Sequence, residues 1–243
     1  GKGKPDLFVA PTISDEIAFW LYSSGSTGAP KGTKHVHSSL IFTAKTYGQQ
    51  ILGIREDDVV YSAAKLFFAY GLGNAMTFPM SVGATTILLS ARPTPDSVFD
   101  IIRSEQPSLF FGVPTLYAAL LADERATRGA GSAKLRMCVS AGEALPQHVG
   151  ENWKSRVGVD ILDGIGSTEM LHIFLSNRPG EIRYGTSGKA VPGYDAKILD
   201  EHGKECGVDE IGELVIRGAS AAEGYWNQRE KSRRTFAGEW TYT

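Results

Sequence analysis

Tyr22-Ser-Ser-Gly-Ser-Thr-Gly-Ala-Pro-Lys-Gly32 is the stretch on which the reading of this chain turns. It follows an apolar run, Ile17-Ala-Phe-Trp-Leu-Tyr22, with the composition of a buried strand. Gly25, Gly28 and Gly32 open backbone conformations closed to other residues, so several N–H groups can converge on one anion. Ser23, Ser24, Ser26 and Thr27 add hydroxyl donors, and Lys31 adds a full positive charge. That is the chemistry of a polyphosphate cradle. The common strand–loop–helix phosphate motif places Ser or Thr directly after its lysine, for magnesium. Here Lys31 stands between Pro30 and Gly32, so this loop is of another kind.

Downstream of the loop, Leu40, Ile41, Ala44, Tyr47 and Ile51 recur at helical spacing, which predicts a helix over 38–52. Ser38 is placed to cap it, and the helix dipole would then favour an anion at the loop. Further on, apolar strands are expected at Asp58–Ser62, Ala84–Leu89, Ser108–Phe111, Leu135–Val139 and Val159–Asp163. Helical segments lie between them, over Pro95–Gln106, Pro114–Ala122 and Pro146–Arg156, with another ending near Gly83. This alternation predicts an α/β fold of mainly parallel sheets flanked by helices. After Gly185 the pattern turns to alternating strands, Asp195–Leu199 and Gly212–Arg217. The expected division is therefore an α/β part over 1–184 and a β-rich subdomain over 185–243.

Composition excludes several classes. Hydrophobic residues make up 42% and charged residues 21% of the 243, as in a soluble globular protein. With 25 basic against 27 acidic residues and no basic stripe, a nucleic-acid partner is not expected. No apolar run reaches the roughly 18 residues of a membrane span, so no membrane partner is expected either. Cys138 and Cys206 are isolated, which fits reduced thiols and a cytoplasmic location. The first residues lack a signal-peptide core and an initiator Met, and the pattern stops abruptly at Thr243, so both ends look cut.

A second segment, Gly164-Ile-Gly-Ser-Thr-Glu-Met170, follows the strand ending at Asp163. Ligands of open parallel sheets bind beyond the carboxyl ends of the strands, so this segment and the Tyr22 loop could share a crevice. Thr168 can donate to a phosphate, and Glu169 suits a magnesium ion, which prefers oxygen and keeps several waters. Taken alone, Glu169 reads as a solvated carboxylate, Phe67, Phe68 and Tyr70 as core aromatics, and His172 as a satisfied histidine. His35 and His37, two apart, do not share a helical face and read as structural or peripheral.

Together the two segments resemble the signatures of the adenylate-forming superfamily: acyl- and aryl-CoA ligases, luciferases and peptide-synthetase adenylation domains. The resemblance covers nearly all of 15–243 and implies part of the large N-terminal domain of such an enzyme. Ser140-Ala-Gly-Glu-Ala-Leu145 resembles the adenine-side loop, although alone it reads as a strand end and turn. Gly212-Glu-Leu-Val-Ile-Arg-Gly218 and Gly224-Tyr-Trp-Asn227 resemble a later structural signature. Where the family usually has a tyrosine that stacks on adenine, this chain has Ile165. Lys65-Leu-Phe-Phe-Ala-Tyr-Gly-Leu-Gly-Asn74, with the segments before and after the loop and Gly166-Ser-Thr-Glu-Met-Leu-His172, looks most like benzoate–CoA ligases.

By position, the resemblance implies that Ser23, Ser24, Gly25, Ser26, Thr27, Gly28 and Lys31 bind the ATP phosphates. Ala141, Gly142, Glu143, Asp163, Gly164, Ile165, Gly166, Ser167 and Thr168 would lie along the nucleotide. Phe68, Ala69, Tyr70, Ala141, Gly166, His172 and Ile173 would line an aryl pocket, as a flat apolar acid requires. Thr168 and Glu169 would act at the reacting phosphate, with Glu169 holding magnesium. The implied reaction joins an aromatic carboxylate to coenzyme A through an acyl adenylate. The family's lysine on a C-terminal lid is not within the 243 residues, so the chain alone is expected to turn over poorly. Two other readings stay open: an adenylation module loading a carrier protein, and a noncatalytic nucleotide-binding module.

Overall fold

Side chains of the central strands alternate between two cores, and this alternation sets the architecture. Val60, Leu109, Phe111, Val139 and Leu162 enter one apolar cluster, whereas Tyr61, Phe110, Cys138 and Ile161 enter another. A strand with period-two side chains that is apolar on both faces must be covered on both, which is the condition of a parallel sheet between helices. The computed structural model describes residues 9–23 and 30–243.

In chain order the strands are β1 (Ile17–Ser23), β2 (Lys31–Val36), β3 (Val59–Ser62), β4 (Thr85–Ile87), β5 (Leu109–Gly112), β6 (Met137–Ser140) and β7 (Ile161–Gly166). They continue with β8 (Ile173–Ser176), β9 (Lys189–Ala190), β10 (Tyr194–Leu199), β11 (Glu213–Gly218), β12 (Gly224–Tyr225), β13 (Phe236–Ala237) and β14 (Trp240–Tyr242). Among the described residues they form three sheets. The largest has the order β4-β3-β5-β6-β7-β8-β9. Its first five strands are parallel, and β8 and β9 are added antiparallel. The smaller sheets, β1-β2-β12 and β10-β11-β14-β13, are antiparallel.

One face of the large sheet is covered by α1 (His37–Thr43), which runs on through wider π-helical turns over Ala44–Ile51. Beside it lie α2 (Ala69–Leu72), further π turns at Gly73–Thr77, and α3 (Phe78–Val82). Buried Tyr47, Ile51 and Phe78 fill this layer. The other face carries α4 (Pro95–Glu105), α5 (Pro114–Leu121) and α6 (Gln147–Val157), with Phe99, Ile102, Tyr117 and Trp153 fully buried. Helix α4 starts where the Pro95 signal placed it. Thr94 accepts from the Ser97 N–H at 3.3 Å, and the Ser97 hydroxyl accepts from the Thr94 N–H at 2.9 Å, a complete capping box. A short α7 (Arg229–Thr235) follows β12.

The parallel α/β arrangement agrees with the sequence reading, but several local expectations fail. Strand β1 is not buried: Leu21 is its buried residue, while Ile17, Trp20 and Tyr22 are exposed, because β1 lies in a small outer sheet. The loop after β1 leads into β2 and not into a helix, making an antiparallel hairpin with Ser23 opposite Lys31. Helix α1 begins at His37 with Val36 at its N-cap and no side-chain cap, so Ser38 does not cap it. Six strand residues, Lys31–Val36, separate its N-terminus from the loop, so the helix does not start at the loop. The expected buried strand at Ala84–Leu89 is a three-residue sheet edge, half exposed.

No helix among the described residues is long and apolar enough to cross a membrane.

Candidate functional site

The carboxyl ends of β3, β5, β6 and β7 open onto a cavity of about 960 Å³. Its walls include Ala63 after β3, Val113 after β5, Ala141 and Gly142 after β6, and Gly166 at the end of β7. This is where ligands of an open parallel sheet are expected. Phe68, Ala69 and Tyr70 form another wall, and His172 and Ile173 complete it. All the residues expected to line an aryl pocket therefore meet in one cavity. Phe67 and Phe68 are 66% and 53% exposed, so they are not core aromatics; they stand at the cavity with ring centroids 4.4 Å apart.

The inner wall is held by hydrogen bonds. Tyr70 donates its hydroxyl to the carbonyls of Gly112 and Val139, each at 3.2 Å, tying α2 to β5 and β6. His172 is buried, with Nε2 at 3.1 Å from Asn74 Oδ1 and 3.3 Å from the Tyr70 carbonyl. Both partners are acceptors, so the hydrogen is assigned to Nε2. Burial lowers the His172 pKa to about 3, against a smaller upward pull from the Tyr70 carbonyl, so the ring is neutral at ordinary pH. The imidazole lies against Gly73, where an added Cβ would sit 2.4 Å from His172 Cδ2. Only a glycine lets the helix approach the ring this closely.

Thr168 and Glu169 sit on the tight connection between β7 and β8. Three successive carbonyls of this turn are tied to two distant parts of the chain, β2 and the segment after β11. His35 Nε2, from β2, lies 2.7 Å from the Thr168 carbonyl. The Ala222 N–H donates to the Glu169 carbonyl at 2.9 Å, and the Ser220 hydroxyl to that of Met170 at 2.7 Å. Leu171 then takes a left-handed φ of 68°, an uncommon and strained conformation for a leucine. His35 is fully buried and stacked on Phe19, so its role is to hold the turn, in keeping with a structural reading.

The two sequence signatures meet at the Glu169 side chain. Lys31 Nζ donates to Glu169 Oε1 at 3.0 Å across 138 positions of sequence. Tyr225 donates its hydroxyl to the same oxygen at 2.8 Å. Burial opposes ionisation of both charged partners, but their mutual attraction prevails. The Lys31 pKa is raised above its ordinary value and the Glu169 pKa is lowered below the usual carboxylate range. Lys31 and Tyr225 both bond to Oε1, which leaves Oε2 as the oxygen to face a hard cation. Among the described residues no three His, Cys, Asp or Glu side chains form a metal cage. A magnesium ion there would have to take its remaining ligands from phosphate and water, as that ion commonly does.

The remaining expected nucleotide residues are dispersed along the same edge. Ser167 and Thr168 line the cavity with Ala141 and Gly142, while Glu143 is exposed and is not part of its wall, and Ile165 is 38% exposed. Asp163 and Gly164 are buried beneath the strand ends, outside the cavity wall. Burial raises the Asp163 pKa to about 6, with the Leu145 N–H donating to its carboxyl group at 3.5 Å. Ser23 ends β1, and Ser24, Gly25, Ser26, Thr27 and Gly28 lie outside the described residues. Sequence reasoning missed Asn74, His35 as a brace, and Tyr225. The Gly224-Tyr-Trp-Asn227 signature was visible, but nothing in the residue order places its tyrosine beside Glu169.

Residues 4–226 match the AMP-binding enzyme family. The chain is 60% identical to a benzoate–CoA ligase of Thauera aromatica over 98% of its own length and 45% of that protein. It superposes with a TM-score of 0.92 on the crystal structure of a benzoate CoA ligase from Burkholderia xenovorans LB400, at 56% identity, covering 96% of this chain and 47% of the other. An anthranilate CoA ligase in complex with anthranoyl-AMP superposes at 0.93 with 45% identity, over 98% of this chain and 46% of that one. The chain thus spans about half the length of the relatives it matches.

Proposed function

The chain belongs to the AMP-binding enzyme family, and from that premise we propose that the longer protein activates an aromatic carboxylate, benzoate or a close analogue, with ATP and passes it to coenzyme A. The observation that carries this reading is the apolar cavity lined by Tyr70, His172 and Ile173, with Thr168 on its wall next in sequence to the Glu169 that pairs with Lys31. The relatives named above, an aryl-CoA ligase crystallised with an aroyl adenylate among them, support it.

In the first half-reaction a carboxylate oxygen attacks the α-phosphorus of ATP. The new O–P bond gives the aroyl adenylate, and the bond to the β-phosphate oxygen breaks to release pyrophosphate. Carboxylate and ATP repel each other, so the site's work is to position them and to offset charge. The loop from Ser23 to Gly28, with Lys31, holds the β- and γ-phosphates. Thr168 donates to the α-phosphate, and Ala141 to Glu143 and Asp163 to Ser167 flank the adenosine. Glu169 would hold magnesium, which supplies further neutralisation of phosphate charge. Neutral His172 lines the pocket without a charge that would draw the carboxylate away from the phosphate. In the second half-reaction the coenzyme A thiolate attacks the carbonyl carbon and AMP leaves.

We assign the whole cycle to the longer protein and expect this chain alone to turn over poorly. Residues 1–184 and 185–243 serve, in this reading, as the α/β part and a β-rich subdomain of one catalytic domain. The free Cys138 and Cys206 support a reducing, cytoplasmic setting. Calorimetric titration with benzoate and a non-hydrolysable benzoyl-adenylate mimic, beside hexanoate and phenylalanine, tests the reading. Selective binding of the benzoyl compounds is expected. Equal binding of a hexanoyl-adenylate mimic would remove the aryl assignment.

A further inference from the structure

We propose that Tyr225 is a positioning residue for Glu169: its hydroxyl accepts from Lys31, donates to the Glu169 carboxylate, and holds that carboxylate in place when Lys31 leaves it for phosphate. The inference rests on the nucleotide-activating reading above and adds a residue to it.

Tyr225 reaches the site because β12 pairs with β2, with Tyr225 opposite Thr33 and the Trp226 N–H donating to the Gly32 carbonyl at 2.7 Å. Its side chain is buried, and the Lys31 ammonium lies 4.8 Å from its ring centroid. Lys31 Nζ donates to the Tyr225 hydroxyl at 3.2 Å, and that hydroxyl donates to Glu169 Oε1 at 2.8 Å. With the direct Lys31–Glu169 contact at 3.0 Å, the three groups close a triangle.

This triangle has a consequence for binding. Lys31 and Glu169 neutralise each other, so a polyphosphate must separate them to engage the lysine. The backbone under Glu169 does not move freely, because His35, Ala222 and Ser220 hold the turn's carbonyls. What remains free is the carboxylate's own rotation about three side-chain bonds, and a glutamate loses considerable entropy when ordered. Once Lys31 turns to a phosphate, Tyr225 is the partner still in place. An O–H donor to a carboxylate is among the stronger hydrogen bonds, and it leaves Oε2 free for a metal ion. Without it the carboxylate rotates away from the position in which Oε2 meets the ion, which weakens the magnesium-dependent part of phosphate binding.

The test is Tyr225→Phe in the full-length protein, with ATP affinity measured by calorimetry in excess magnesium and again in EDTA. A loss of about tenfold is expected with magnesium, the worth of one charge-assisted hydrogen bond. Less than about threefold is expected in EDTA, where Glu169 has no ion to hold. Ser220→Ala, which removes a brace from the turn without touching the carboxylate, serves as the control and should lower both affinities alike. Equal losses for Tyr225→Phe in the two conditions would make Tyr225 merely structural and overturn the proposal. Wild-type affinity in magnesium would overturn it too. If the wild-type protein itself shows no magnesium-dependent ATP binding, the nucleotide reading fails first and this inference falls with it.

Discussion

Replacing Gly73 with alanine tests whether the aryl pocket depends on one close approach of backbone to imidazole. The added Cβ would lie 2.4 Å from His172 Cδ2, 2.7 Å from Nε2 and 2.9 Å from Phe78 Cζ, where ordinary contact begins at 3.4 Å. The clash falls on a buried ring whose Nε2 is bonded to Asn74 at 3.1 Å, so His172 must leave that partner. Overpacking of a filled core costs about 1–3 kcal/mol, and the lost hydrogen bond about 1 kcal/mol more. The sum, about 2–4 kcal/mol, is several degrees in the thermal midpoint of a domain this size. Because His172 also lines the cavity, benzoate affinity should fall with stability. The assay is thermal unfolding monitored by circular dichroism, with calorimetric binding of the benzoyl-adenylate mimic. Gly53→Ala is the control: at φ 54° with open space around it, it carries backbone strain alone. If Gly73→Ala is no more destabilising than Gly53→Ala and binds the mimic as wild type does, the close-approach argument is wrong.

Two further outcomes follow from buried titratable groups. Asp58 accepts from Arg136 Nη2 at 2.7 Å, from the Ser108 hydroxyl at 2.7 Å and from the Arg55 N–H at 2.9 Å. Burial raises its pKa, but Arg136 and Ser108 outweigh that and hold it below the usual carboxylate value of 3.8. Its contribution is therefore present above that value and lost as pH falls below it. Asp58→Asn should cost about 3 kcal/mol in urea unfolding at pH 7, the low end for a broken buried pair because Arg136 keeps some contact with water. A second effect arises because His172 is held neutral down to about pH 3 and Asp163 stays protonated up to about pH 6. Between pH 3.8 and 6 the unfolded chain binds more protons at His172 and fewer at Asp163, so the two slopes oppose each other. In His172→Gln only the Asp163 slope remains. The stability advantage of wild type should then grow by about 1.4 kcal/mol per pH unit across that window, and a constant difference in urea melts would contradict the His172 assignment.

Much of the fold was legible because its signals are local. The short apolar runs of the central strands, Pro95 at a first helical turn and the strand–helix alternation each depend on residues within a few positions of one another, and each led to the observed element. Local signals failed at β1 and β2, where an apolar run reads as a buried strand although it belongs to a small outer hairpin. Apolar composition reports the capacity to be buried, and the neighbours supplied by the rest of the fold decide whether burial occurs. The aryl-pocket residues were legible through the resemblance; taken singly, Phe68 and Tyr70 read as core and His172 as merely satisfied.

Residue order by itself determined the chemical inventory: a hydroxyl- and glycine-rich loop with Lys31, the Thr168–Glu169 signature, and an aromatic segment short of polar groups. Only the tertiary structure decided which members touch. It set Lys31 against Glu169, brought Tyr225 in from the far end of the chain, and turned the Nε2 of His172 toward Asn74. The physical reason is one of range. Propensity, capping and side-chain period act over a few residues, whereas a hydrogen bond forms only where packing and strand register bring two groups within about 3 Å. Pairing of β12 with β2 is such a long-range event, and it gives Glu169 its second partner.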